Sequence, residues 1–263
     1  MGLFNFFKKE KNNLEKTENS ILLAMPMFNN NERYEINAVI ENLKNFWDLR
    51  ITDFTGDDDS AVFKIEGEMV ALAYIPAPIP WEDIQGTAQY AYNWQTATED
   101  LENHSGHAIV SIMSSQKSQK ERFTILSKLL CSILSTSNAI GVYQGSQTLL
   151  ISKFEYLDSI EKIKRQDAPV TLWLYIGVKP SKQGNSIYTY GLTEFGKQEM
   201  EVINSQLHIE ELYEFICNIS AYVINSNVTF KNGETLGYTK EQKINIISSK
   251  GQFVEGQTLK LKM

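Results

Sequence analysis

The sequence predicts an α+β fold, with mixed or antiparallel sheets and packed helices, and three observations carry that expectation. Apolar residues along the 263-residue chain switch repeatedly between the two-residue spacing of strands and the three-to-four spacing of helices. Two hairpin signals, Glu66-Gly67-Glu68 and Asn232-Gly233, interrupt the alternation, and a doubly wound parallel sheet would not contain them. The order strand, helix, hairpin, helix, strand in the first half reads as a ferredoxin-like split β-α-β unit, with a second related unit in the other half of one body.

Taken in order, residues 1–19 are polar after an apolar start and read as a flexible tail. Ile21 to Phe28 is an apolar strand interrupted by Pro26, and Asn29-Asn30-Asn31 turns the chain. A helix from Arg33 to Trp47 puts Ile36, Val39, Ile40 and Leu43 on one face. Ala61–Ile65 and Met69–Ile75 form a hairpin, the second strand apolar enough to be covered on both faces. Pro76, Pro78 and Pro80 end it, because proline cannot donate to a ladder. Trp81 opens a long helix to Leu101, His107–Met113 is a strand, and Lys120–Ser135 is a helix. Val142–Leu150 is extended and Phe154–Arg165 is a short helix. Then come a strand at Leu172–Ile176, the extended block Tyr188–Leu192 and an amphipathic helix from His208 to Asn225. Asn232-Gly233 joins Val228–Phe230 to Thr235–Tyr238 in a tight hairpin, and Lys243–Ser248 and Leu259–Met263 close the fold. Residues 20–263 read as a single compact body, which the pattern allows to be subdivided into 20–168 and 169–263.

Net charge is −7 with a sequence pI near 5.2, which disfavours a nucleic-acid partner, since that needs a basic face. An acidic surface suits a basic protein partner instead. No apolar run is long enough to span a bilayer. Leu3, Phe4, Phe6 and Phe7 ahead of Lys8, Lys9 and Lys11 raise peripheral membrane docking, but a loose tail is the simpler reading. Cys131 and Cys217 fall within helices as reduced thiols, and the expected location is the cytoplasm.

The search for chemistry finds no Walker loop, no nucleophile elbow, no His-Glu-x-x-His and no paired Cys-x-x-Cys. His104 and His107 are the nearest thing to a metal pair, with Glu99, Asp100 or Glu102 as a third ligand, yet the simpler account has His104 solvated at a helix end and His107 at a strand start. His208 reads as an exposed first-turn residue. Asp57-Asp58-Asp59 fails the register of a calcium loop and reads as a charged turn, while Gly141, Gly145 and Ser146 lack the lysine of a phosphate loop. Glu194, Glu199 and Glu201 could support acid–base work, but Glu199 and Glu201 alternating with Met200 and Val202 also describe a half-exposed strand. The aromatic supply is the strongest lead: Tyr188, Tyr190, Trp173, Trp81 and Trp94, with Tyr175, Tyr90 and Tyr92, could line a groove or a protein interface. No cofactor and no bound metal are expected.

The strand at Leu172–Ile176, Tyr188-Thr189-Tyr190-Gly191-Leu192, Phe195-Gly196-Lys197 with Glu199 and Glu201, the amphipathic helix and Asn232-Gly233-Glu234-Thr235-Leu236-Gly237 form one local pattern. That pattern resembles an uncharacterised bacterial family, the domain of unknown function 4261. Ala73–Trp81, His107–Ser111 and Gly141-Val142-Tyr143 are similar to its upstream region, extending the resemblance over about 20–260. His208 departs from a pattern that favours a serine-like cap. The resemblance brings no catalytic residues. It implies an accessory protein of bacterial conflict or secretion systems. The function expected is therefore a non-catalytic interaction protein of the immunity type that binds and neutralises a toxin or effector. The alternatives are a small-molecule or regulatory binding module, and a hydrolase or transferase with an unrecognised carboxylate site.

Overall fold

The structure is a computed structural model that describes residues 21–113, 116–238 and 243–263. The expected tail, with its Phe and Lys residues, lies outside the described residues. Two sheets and their helices make an α+β fold. The first sheet holds seven antiparallel strands in the order β2-β3-β4-β5-β1-β6-β7. They are β1 (Leu22–Phe28), β2 (Ile51–Gly56), β3 (Ser60–Ile65), β4 (Glu68–Ile75), β5 (Gly106–Ile112), β6 (Gly141–Gln144) and β7 (Leu149–Ser152). The second sheet runs β11-β12-β13-β10-β9-β8. Its strands are β8 (Tyr175–Ser181), β9 (Gly184–Tyr190), β10 (Met200–Ser205), β11 (Thr235–Gly237), β12 (Lys243–Lys250) and β13 (Gln257–Lys262), and β10 and β13 are parallel.

Helices α1 (Ile36–Asn45) and α4 (Gln119–Thr136) cover one face of the first sheet. The β5-α4-β6 crossover straddles β1, which is the split β-α-β connection expected. Ser118 starts α4 with a capping box: its hydroxyl accepts from the Glu121 amide while the Glu121 carboxylate accepts from the Ser118 amide. Helix α8 (Ile209–Asn225) packs Leu212, Ile216 and Val223 toward the inner face of the second sheet. One apolar cluster runs from Leu22 and Val110 of the first sheet to Ile187, Ile246 and Leu261 of the second. A smaller cluster, Met27, Ile84, Trp94, Leu101, Tyr143 and Leu150, covers the other face of β1, β6 and β7.

Several expectations are corrected. The helix over 81–101 is two short ones, α2 (Trp81–Ala88) and α3 (Ala97–Leu101), because the stretch between them is spent on consecutive turns at Tyr90, Ala91 and Trp94. These short helices pack on β1, β6 and β7, and β4 is central but not covered on both faces: Met69 is 39% exposed. The segment 142–150 is a β6–β7 hairpin turned by a 3-10 turn at Gly145–Gln147, not one extended run. The segment after Arg165 begins with a helical turn, α7 (Val170–Trp173), before β8 starts at Tyr175. Asn232-Gly233 does not join 228–230 to β11. It sits in a turn closed by the Glu234 amide on the Lys231 carbonyl, and β11 pairs with β12 instead. Only Gly233 of the two residues has positive φ, +86°. The Pro76–Pro80 segment leaves the sheet after Ile75, and β4 pairs with β5, both as expected.

Candidate functional site

The edges of the two sheets meet at a crevice walled by β7, β8, the 89–96 turns, α5 (Lys153–Asp158) and α8. Its outer wall is aromatic. The Tyr175 ring lies 5.7 Å from Tyr90, 6.3 Å from Tyr92 and 6.1 Å from Tyr188, and Tyr188 stacks on Phe253 at 5.3 Å. The row crosses the sheet because Gly177 opposes Tyr188 in the β8–β9 ladder: a Cβ there would stand 2.0 Å from the Tyr188 ring. The Tyr175 hydroxyl is hydrogen-bonded to that of Tyr92 at 3.0 Å. Burial is the largest cause that holds the Tyr175 phenol above its ordinary range, followed by its Tyr92 hydrogen bond. Burial does the same for Tyr188 and Tyr213.

Glu155 faces this crevice from the first turn of α5, fixed there because Ser152 caps the helix by accepting from the Glu155 amide. Asn93 Nδ2 donates to its Oε1 at 3.0 Å. Burial raises the Glu155 carboxyl, the Thr171 and Asn93 side chains oppose the rise and Asp158 adds to it. A partly buried carboxylate with a shifted pKa in a cleft is the kind of group functional sites contain.

The other sequence candidates are placed differently. Trp173 lies in the core, its Nε1 donating to Ser127 Oγ at 2.8 Å and its ring stacked on Phe195, so it lines no groove. Trp94 is also buried, with Nε1 donating to Asp100 Oδ2 at 2.6 Å, and only its edge reaches an open depression of about 480 Å³ beside Asn138, Lys153 and Phe154. Trp81 is half-buried against the smaller cluster. Tyr190 is half-buried, paired with Tyr175 in the ladder, and Tyr188 belongs to the aromatic row.

His104 is not solvated at a helix end, as the sequence suggested. It is buried, Nε2 accepting from the Ile79 amide at 2.8 Å and Nδ1 bonded to the Leu101 carbonyl at 2.7 Å. His107 Nδ1 bonds the Ala77 carbonyl at 2.8 Å, and burial lowers its pKa. The pair staples the Pro76–Pro80 segment to the sheet, and both His104 nitrogens are engaged. Among the described residues, no group of three or more His, Cys, Asp or Glu side chains could hold a metal ion. Asp57 closes the charged turn by accepting from the Asp59 and Ser60 amides, and Asp58 accepts from the Ile36 amide at the start of α1. Gly141 is in β6, Gly145 and Ser146 form the β6–β7 turn, and His208 precedes α8 without capping it through its side chain. Cys131 and Cys217 are free thiols, pushed by burial to about 12 and about 11.

Glu199 and Glu201 are buried rather than half-exposed. Glu199 accepts from Thr189 Oγ1 and from the Gly191 and Thr193 amides, and burial still holds it above the usual carboxylate range. Glu201 lies on the outer face, roofed by the 251–256 connection. The amides of Gln252, Phe253 and Val254, the Thr258 hydroxyl and Lys260 Nζ at 2.7 Å converge on it. Burial pushes its pKa up, but Lys260 and the backbone donors outweigh that and hold it below its ordinary value. Both carboxylates anchor local structure. Sequence reasoning missed Glu155, Asn93, Tyr213 and Phe253. Their only common signal is proximity in the fold.

Residues 188–262 match the family model described as a domain of unknown function, DUF4261. That part of the chain belongs to this domain family. The match covers the end of β9 and β10 through β13 with α8, while β8, Tyr90, Tyr92 and Glu155 lie upstream of it. No curated protein and no solved structure matches the chain. No helix among the described residues is long and apolar enough to cross a membrane.

Proposed function

We propose that this DUF4261 chain is a non-catalytic interaction protein that binds a protein partner at the tyrosine-lined crevice. In its sharpest form the proposal is a cytoplasmic, bacterial immunity-type protein that neutralises a toxin or effector. The observation that carries it is the contiguous run of rings from exposed Tyr92 and half-buried Tyr90 through buried Tyr175 to half-buried Tyr188 and Phe253. Tyrosine offers large contact area at low entropic cost and is enriched where proteins bind each other. The net charge of −7 favours a partner with a basic surface. The carboxylates that suggested catalysis, Glu199 and Glu201, have their oxygens taken up by their own chain.

Co-expression with the product of the adjacent reading frame tests this. Relief of that product's toxicity, together with a complex that survives gel filtration and weakens at least about tenfold in Tyr90→Ala/Tyr92→Ala, supports the reading. No relief and no complex overturns it. The open depression of about 480 Å³ beside Trp94 favours a second reading, a small-molecule binding module. That reading predicts ligand-dependent thermal stabilisation with no protein partner.

A further inference from the structure

We propose that the crevice receives a primary ammonium group, presented by a lysine side chain of the protein partner. The inference rests on the interaction reading above and deepens it. Tyr90, Tyr92, Tyr175 and Tyr213 line the crevice together with Glu155. Tyrosine faces carry negative quadrupole density, so rings gathered around a carboxylate make an environment that favours a cation. A carboxylate offers about four acceptor positions, of which Asn93 fills one, leaving capacity for an ammonium that donates three bonds.

Among the described residues no cationic side chain forms an ion pair with Glu155, and the charge that shifts its carboxyl is Asp158, of the same sign. Lys162, on α6 (Ile160–Lys164), and Glu155 both act on the Cys217 thiol, in opposite senses. Size selects the cation. The crevice encloses about 40 Å³ of space for water-sized groups, enough for one or two of them, which admits an ammonium and is tight for a planar guanidinium. Net charge supplies the long-range attraction for a basic partner.

The test is an NMR titration of the full chain, ring-labelled at tyrosine, with Nα-acetyl-lysine methylamide and its Nε-acetylated counterpart. The expected result is saturable shifts at the crevice tyrosines, with affinity on the order of millimolar for the free amine. The response should weaken at least about tenfold with the acetylated probe and in Glu155→Gln. Tyr92→Ala, at a ring 43% exposed and tolerant of truncation, should weaken it too. Equal response to both probes, full response in Glu155→Gln at unchanged melting temperature, or no saturable shift overturns the inference. A chain that binds its partner but not the amine loses only this inference. One that binds the amine but no partner loses the interaction reading.

Discussion

Removing the Lys260 ammonium with Lys260→Met would leave Glu201 as an unpaired charge under the 251–256 connection. Both side chains are almost fully buried and their charged atoms lie 2.7 Å apart. Breaking a buried pair from one side costs about 3–5 kcal/mol, because the remaining charge keeps its desolvation penalty. Here the Gln252, Phe253 and Val254 amides and the Thr258 hydroxyl stay on the carboxylate, which places the expected loss near the lower end, about 3 kcal/mol. Glu201→Gln strands Lys260 with the Lys250 carbonyl and the Thr258 hydroxyl, and should cost about 2–3 kcal/mol. The double variant strands no charge. It should be less destabilised than the sum of the two by at least about 1 kcal/mol, read from urea midpoints in a double-mutant cycle. The pH dependence has a definite sign. Glu201 is held below its ordinary value, so its contribution is present above the unfolded-state pKa and fades as pH falls through the lower folded value. Glu199 is raised, so its contribution is present below the unfolded-state pKa and fades as pH rises through the higher folded one. Lys260→Met should move the acid loss to higher pH. A cost under about 1 kcal/mol, or strict additivity, would refute the claim that this pair anchors the loop.

His104→Ala should destabilise the chain by about 2–3 kcal/mol in a denaturant melt, since it orphans the Ile79 amide and opens a cavity, while elemental analysis should find no stoichiometric zinc. His107, whose folded pKa is lowered, contributes stability above its unfolded pKa that declines as pH falls through the histidine range; His107→Gln should flatten that part of the melting profile. Gly233→Val should cost about 1 kcal/mol, because φ is +86° while a Cβ there meets nothing within 4 Å; a neutral melt would mean the turn relaxes freely. Gly177→Ala should cost about 1–3 kcal/mol and alter the near-ultraviolet signal of the tyrosine row, since its methyl collides with the Tyr188 ring.

The elements legible in the sequence are those with a long, one-sided apolar pattern: β1, α1, the β3–β4 hairpin, β5, α4 and α8. Strand β2, Ile-Thr-Asp-Phe-Thr-Gly, escaped notice because it is an edge strand with mostly exposed residues and shows no apolar alternation. The 81–101 stretch has helical spacing at Ile84, Ala88, Ala91 and Trp94, but the chain turns at Tyr90, Ala91 and Trp94 and sets the Tyr90 and Tyr92 rings against Tyr175. Asn232-Gly233 carries a strong local hairpin signal, yet β12 is a longer partner for β11 than 228–230 could be. Tyr188 and the 90–92 aromatics were visible as residues of interest. Glu155 was not, because the crevice is assembled from four segments distant in sequence, and a lone glutamate in a first helical turn looks like any other.

The buried polar residues of the 188–262 segment are largely committed to one another. Thr189 and Gly191 hold Glu199, the Thr189 hydroxyl accepts from the Met200 amide, and Lys260 and the 252–254 amides hold Glu201. A polar atom satisfied by its own chain has little capacity left for a ligand, so these residues serve the folding of the segment rather than binding. The groups with capacity to spare, the Glu155 carboxylate and the rings of Tyr90 and Tyr92, come from upstream and meet the segment at Tyr213 of α8 in the crevice and, through Tyr175 of β8, at Tyr188. The sheet itself makes the same point. The match opens at Tyr188 in β9, yet β9 is paired along its length with β8, which lies outside the match. Upstream chain thus completes the sheet as well as the crevice, and binding is to be sought at that junction rather than within the recognised segment.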